Sequence, residues 1–238
     1  MTAHRNTARP IPAPRPLPDM ETWVFDLDNT LYPASSDVFP QIDKRMKAFI
    51  ADYLKLPLDE AFLIQKKYYH QYGTTLRGLM LENKLEPSLF LDYVHDIDHS
   101  VLEANPALDA ALADLDGRKI IFTNGSERHA ERVLDRLGIA RHFESIFDIA
   151  AADFIPKPQP ETYTTFIKRH AFDPRAAAML EDSPANLVPA LAVGMTTVLV
   201  RECEPYMCAS GHGPDPKTED LSHCHHVVED LVDWLKGI

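Results

Sequence analysis

The chain changes its hydrophobic period twice, and the two changes divide it into sections. Near the start, Trp23, Val24 and Phe25 form a short apolar run closed by Asp26 and Asp28. Such a run reads as a buried strand, ended where Asp, Asn and Thr favour turns over a pleated ladder. Beyond it the apolar positions fall at helical spacing: Ile42, Met46, Phe49, Ile50 and Tyr53 predict a helix over Val38–Leu54. A second helix after Pro57 and Asp59 carries Phe62, Tyr69 and Tyr72. Gly73 and Gly78 then bracket T-T-L-R as a turn with Arg77 near its tip. Further helical stretches cover Leu79–Lys84 and Pro87–Tyr93, and no strand pattern occurs between Pro33 and Ala104. Residues 34–104 therefore read as an all-helical block inserted after the first strand, not as a single crossover helix.

Alternation returns at Asn105-Pro106, an N-cap with proline at the first helical position, in a helix closed by Gly117. Strands are expected at Lys119–Phe122, Ile146–Ala150, Ala177–Leu180 and Thr196–Val200. Helices at Glu127–Leu137, Glu161–His170 and Ala185–Val193 separate them, and a last one covers Asp230–Leu235. Strands alternating with helices imply an α/β fold with a doubly wound parallel sheet, built from residues 21–33 and 105–238. Residues 1–20, with prolines at every second position from Pro10 to Pro18, read as an extended, disordered tail. Its first 18 residues have no apolar pattern to bury, so their loss should cost nothing.

Composition narrows the function. A net charge of −12 argues against nucleic acid as a partner, because phosphate backbones need clustered cations. No apolar run is long enough to span a bilayer. Three cysteines, Cys203, Cys208 and Cys224, give no disulfide framework and point to a reducing cytoplasm. Together with His212, His223, His225 and His226 they offer zinc ligands, but at a spacing that matches no standard finger. A polar loop before a short edge strand is the better reading. His129 and His142, near helix ends, read as surface residues.

Three strand ends carry polar clusters, D-L-D-N-T, T-N-G-S and E-D-S-P-A-N, and Lys157 stands in a proline-bracketed loop between the second and third. In an open α/β sheet, chemistry gathers at the carboxyl ends of strands. Turn composition explains any one of these clusters; three in this order are harder to explain that way. In Asp26-Leu27-Asp28-Asn29-Thr30, Thr123-Asn124, Lys157 and Glu181-Asp182 the chain resembles the haloacid dehalogenase superfamily, from about Trp23 to Val200.

The resemblance implies a phosphohydrolase that uses Mg²⁺. Asp26 would be nucleophile and metal ligand, Asp28 would give its backbone carbonyl to the metal and its side chain to proton transfer, and Asp182 would add a carboxylate. Glu181 and Asn186 would orient those ligands, Lys157 would neutralise charge, and Thr123 with Asn124 would hold the phosphoryl group. The physical demand is plain: a carboxylate attacking a phosphate dianion needs cations at contact distance in a poorly solvated site. Dehalogenases of the superfamily lack the second Asp, so Asp28 favours phosphoryl transfer.

The helical block would be the cap that selects the substrate, a small phosphorylated metabolite. Q-Y-G-T-T-L-R-G-L and D-N-T-L-Y are similar to the pyrimidine 5′-nucleotidase subgroup, with Arg77 as a substrate contact. A sugar phosphate or phosphoglycolate phosphatase, a phosphomutase, and a non-catalytic metabolite-binding protein remain as alternatives. The oligomeric state is not legible.

Overall fold

The computed structural model describes residues 14–201 and 220–238. Six parallel strands form one sheet in the order β3-β2-β1-β4-β5-β6. They are β1 Thr22–Phe25, β2 Arg118–Phe122, β3 Ser145–Phe147, β4 Ala177–Glu181, β5 Thr196–Val200 and β6 His226–Val228. The first strand in sequence is thus central. Phe25 is level with Ile121 on one side and Leu180 on the other. Strand order runs outward from β1 in both directions, so the crevice of the doubly wound sheet opens at its carboxyl end.

Both faces of the sheet are covered, which is why its strands are almost wholly buried instead of alternating with polar residues. Trp23, Phe25 and Leu180 face one apolar cluster, and Val24, Phe122 and Met179 face the other. Between β1 and the rest of the sheet stand α1 Val38–Leu54, α2 Leu58–Tyr72, α3 Thr75–Asn83 and α4 Pro87–Val94. This is the predicted helical insert, with no strand in it. The other helices among the described residues are α5 Pro106–Asp114, α6 Glu127–Leu137, α7 Pro160–His170, α8 Pro184–Val193 and α9 Leu231–Leu235.

Local chemistry sets the boundaries. Asn105 caps α5 as expected, its Oδ1 accepting from the Leu108 N–H at 3.0 Å. The turn expected at Gly73–Gly78 is shorter than predicted. Thr74 accepts from the Arg77 N–H and starts α3, leaving Gly78 inside the helix. A Cβ there would meet the Tyr68 ring of α2, so glycine serves close helix packing at this point. β3 ends earlier than the pattern Ile146–Ala150 implied, because Asp148 accepts from the N–H groups of Glu127 and Ala151 and bends the chain away.

Residues 1–13 of the proline-rich segment, and Cys203, Cys208 and His212, lie outside the described residues. The chain is already packed before position 20, contrary to the reading of residues 1–20 as a tail. Leu17 lies against the core within a short 3₁₀ turn, and Met20 is buried. Deletion through Met20 should therefore lower stability by about 1–3 kcal/mol in a urea melt. Among the described residues no helix is long and apolar enough to cross a membrane. His223 faces the Pro184 carbonyl, and His225 bonds to Thr197 beside β5.

Candidate active site

The carboxyl ends of β1, β2 and β4 bring the predicted residues together. Asp26 follows β1, and its N–H donates to the Leu180 carbonyl, which extends the ladder by one bond. Asn29 then adopts a left-handed conformation (φ 61°), which Asn tolerates better than most residues. The turn so formed carries Thr30 back over Asp26, and its hydroxyl donates to Asp26 Oδ2 at 3.0 Å.

Lys157 is the centre of charge. Its ammonium, 1% exposed, donates to Asp26 Oδ1, Glu181 Oε2 and the Phe122 carbonyl, each at 2.7 Å. Those three acceptors use its three hydrogens. The loop that delivers it is fixed by Asn124: Asn124 Oδ1 accepts from the Lys157 N–H at 2.8 Å and Asn124 Nδ2 donates to the Lys157 carbonyl at 3.2 Å. Asn124 thus holds the lysine loop, and Thr123 Oγ1 accepts from the Gly125 N–H at 2.9 Å, shaping the turn after β2.

Asp26, Glu181 and Asp182 offer carboxylate oxygens within 4.8 Å of one another. One ammonium cannot neutralise three acids, two of them buried and the third partly so. Burial and the Glu181 charge outweigh Lys157 and push the Asp26 carboxyl up to about 7. Burial, Glu181 and Asp26 likewise hold Asp182 well above the ordinary carboxylate range. An all-oxygen donor set with excess negative charge fits a hard divalent cation such as Mg²⁺. Asn186, in the first turn of α8, accepts from the Tyr163 hydroxyl through its backbone carbonyl.

Asp28 lies in a different environment two residues on. Its Oδ1 accepts from the Tyr32 hydroxyl and from His129 Nε2, the latter at 2.8 Å. Burial alone would raise its carboxyl, but the charge and hydrogen bond of His129, with Tyr32, bring it down to about 2. His129 is therefore no surface residue: it is wholly buried on the core side of α6. His142 is also mostly covered, against Asp109.

His129 Nδ1 faces His99 Nε2 at 3.1 Å, and His99 Nδ1 faces the Ile97 carbonyl at 3.2 Å. A carboxylate only accepts, so His129 Nε2 carries the hydrogen of its bond to Asp28. The sequence did carry a signal for this burial, since His129 shares the stripe of Ala130, Val133, Leu134 and Leu137.

The insert approaches the acids from α2. The hydroxyl of Tyr69 is raised by burial and by the charges of Asp182 and Glu181. Arg77 reaches across to the Phe154 carbonyl at 3.5 Å. Tyr72 instead donates to Glu82 within the insert.

A doubly wound sheet, a helical insert after its central strand and a carboxylate–lysine centre at its crevice together define a hydrolase scaffold of the α/β class. The chain belongs to the haloacid dehalogenase-like hydrolases, whose family description matches residues 20–194. It is 30% identical over 204 residues to Phosphate metabolism protein 8 of Saccharomyces cerevisiae, covering 78% of this chain. The match spans 63% of that relative's length. Among solved structures, a HAD phosphatase from Thermococcus onnurineus shares the fold with a TM-score of 0.57, at 18% identity over 91% of this chain and 97% of that one. L-2-haloacid dehalogenase from Xanthobacter autotrophicus shares it with a TM-score of 0.56, at 18% identity and the same coverage.

Proposed function

We propose that the chain is a Mg²⁺-dependent phosphomonoesterase that works through a covalent phosphoaspartate on Asp26 and acts on pyrimidine nucleoside 5′-monophosphates. The observation that carries the chemistry is the contrast between two acids two residues apart. Asp26 is held by a buried ammonium and a threonine hydroxyl, while Asp28 answers to separate donors. That contrast supports a division of labour in which one carboxylate attacks and the other handles protons.

In the first half-reaction an Asp26 oxygen bonds to phosphorus as the ester P–O bond breaks, and the departing oxygen takes a proton from Asp28. In the second, Asp28 receives a proton from water, whose oxygen bonds to phosphorus and releases Asp26. Held ionised at rest, Asp28 suits the base role directly. For the acid role it must first take up a proton from solvent on the oxygen that Tyr32 and His129 leave free. Lys157 offsets charge at the attacking oxygen. A divalent cation held by Asp26, Asp182 and the Asp28 carbonyl would draw charge from the phosphoryl oxygens.

In this reading residues 21–33 and 105–238 supply the chemistry, and residues 34–104 select the leaving group. Tyr69, whose hydroxyl senses Asp182 and Glu181, and Arg77 on the following helix suit a polar heterocycle better than a bare sugar. The phosphate chemistry in the name of the yeast relative agrees with phosphomonoester hydrolysis.

A phosphate-release screen tests the proposal. UMP and CMP should give higher kcat/KM than AMP, GMP or glucose phosphates, and excess chelator should abolish turnover of all of them. Arg77→Ala should reduce the preference for UMP by about tenfold while sparing 4-nitrophenyl phosphate. Sugar phosphates turned over faster than UMP would remove the nucleotidase assignment, and full activity in chelator would remove the metal.

A further inference from the structure

Asp28 is held on one side only. Both of its side-chain hydrogen bonds, from Tyr32 and from His129, end on Oδ1. Among the described residues Oδ2 receives none, and it lies towards the turn after β2. A Cβ placed on Gly125 would stand 3.6 Å from Asp28 Oδ2 and 3.2 Å from Thr123 Oγ1. The free oxygen thus lies beside the turn of Thr123 and Asn124, to which the family resemblance gives the phosphoryl group.

The group that fixes Oδ1 is itself fixed. His99 holds the Nδ1 edge of His129, and the His95 ring stacks on its face, with centroids 4.5 Å apart and planes 11° from parallel. His95 Nδ1 in turn faces Ser126 Oγ at 2.8 Å, and Ser126 caps α6, accepting from the His129 N–H. Three imidazoles packed together have no advantage over aliphatic side chains for core stability, since each buried polar nitrogen needs a partner. They do stop the His129 ring from turning or sliding. Two of them, His95 and His99, belong to the helical insert, so the insert reaches the chemistry through this cluster as well as through substrate contacts.

We propose that His129, braced by His95 and His99, is a positioning residue for the proton-transferring acid. Together with Tyr32 it ties down Asp28 Oδ1 and so dedicates Oδ2 to the leaving oxygen and then to the attacking water. This inference rests on the phosphomonoesterase reading above. Without the clamp the carboxyl rotates about its last bond, and Oδ2 spends little time aimed at the ester. The cost must then grow with the basicity of the leaving group, because only poor leaving groups need the proton.

The experiment compares 4-nitrophenyl phosphate with phenyl phosphate, two esters of similar shape whose leaving groups differ in basicity. For His129→Ala we expect kcat on phenyl phosphate to fall about 10²-fold and on 4-nitrophenyl phosphate less than about fivefold, with KM for both nearly unchanged. His129→Gln retains an N–H donor of similar reach and should recover at least about tenfold of the phenyl phosphate loss. Should the alanine variant fail to fold, His99→Ala releases the brace while leaving His129 in place, and it should show the same selective loss on a smaller scale. Equal losses for the two esters, or no loss, in the variants that fold would overturn the positioning role. If the wild-type protein releases phosphate from neither ester, the phosphomonoesterase reading itself is wrong; equal losses in a protein that does hydrolyse them sink only the role of His129.

Discussion

Replacing Asp26 by asparagine should leave the fold intact and lower phosphate release by at least about 10³-fold. The substitution keeps the shape of the side chain. The amide oxygen would still accept from Lys157, and the amide nitrogen would find Thr30 Oγ1 as an acceptor where the carboxylate had accepted from it. The nucleophilic charge alone is removed. Stability should move the other way in metal-free protein. The Asp26 carboxyl is raised from 3.8 to about 7, chiefly by burial and then by the Glu181 charge. A group that binds its proton more tightly in the folded state contributes stability below its unfolded pKa. That contribution is lost as pH rises from about 4 to about 7. In chelator this group should therefore lower the melting temperature of wild type at pH 8 relative to pH 5, and Asp26→Asn should lack that component. Phosphate release and paired melting curves at the two pH values check both halves. Turnover near wild type would mean that another group attacks phosphorus.

Lys157→Ala should be the most destabilising single change at the site. It strips the common cation from Asp26 and Glu181 and leaves the Phe122 carbonyl without its donor, all in a region closed to solvent. Removing one partner from a buried ion pair costs about 3–5 kcal/mol, because the charge left behind has neither a partner nor water. Activity should vanish as well, since the carboxylate and the phosphoryl dianion would repel each other uncompensated. Lys157→Arg should not rescue it: the planar fork is larger than the compact ammonium that reaches three acceptors here. Urea denaturation of the variant beside wild type measures the first effect and a phosphate assay the second. A loss below about 1 kcal/mol would show that the two acids find other neutralisation.

Strand ends were the most legible part of the sequence. The polar groups at D-L-D-N-T, T-N-G-S and E-D-S-P-A-N each interrupt an apolar run, and that local contrast is enough to place them at one edge of a sheet. Contacts between insert and core were not legible. His129 looked like a helix-end residue because its partners, His95 and His99, stand some thirty positions earlier in a region read only for apolar spacing. Its place on the buried stripe of α6 was visible but ambiguous, since one polar residue in such a stripe often lies at the rim. Tyr69 and Tyr72 illustrate the same limit. Three positions apart on α2 they look equivalent, yet the first senses Asp182 and the second bonds to Glu82. Which edge of a helical stripe meets the core depends on how the helices cross, and periodicity does not contain that angle.

The central position of β1 has a consequence for how the protein is made. The first strand of the sheet to leave the ribosome is flanked by β2, which starts at Arg118, and β4, which starts at Ala177. The helices α1 to α4 can find one another early, because their contacts are mostly local in sequence. Trp23, Val24 and Phe25 must meanwhile stay apolar and unpaired on both edges, the state in which nascent chains aggregate or recruit chaperones. The carboxylate cluster comes later still, since Asp182 is translated more than 150 residues after Asp26. No partial product of synthesis that stops short of β4 can bring Asp26 beside Glu181 and Asp182, so the acidic cluster forms only as the sheet closes.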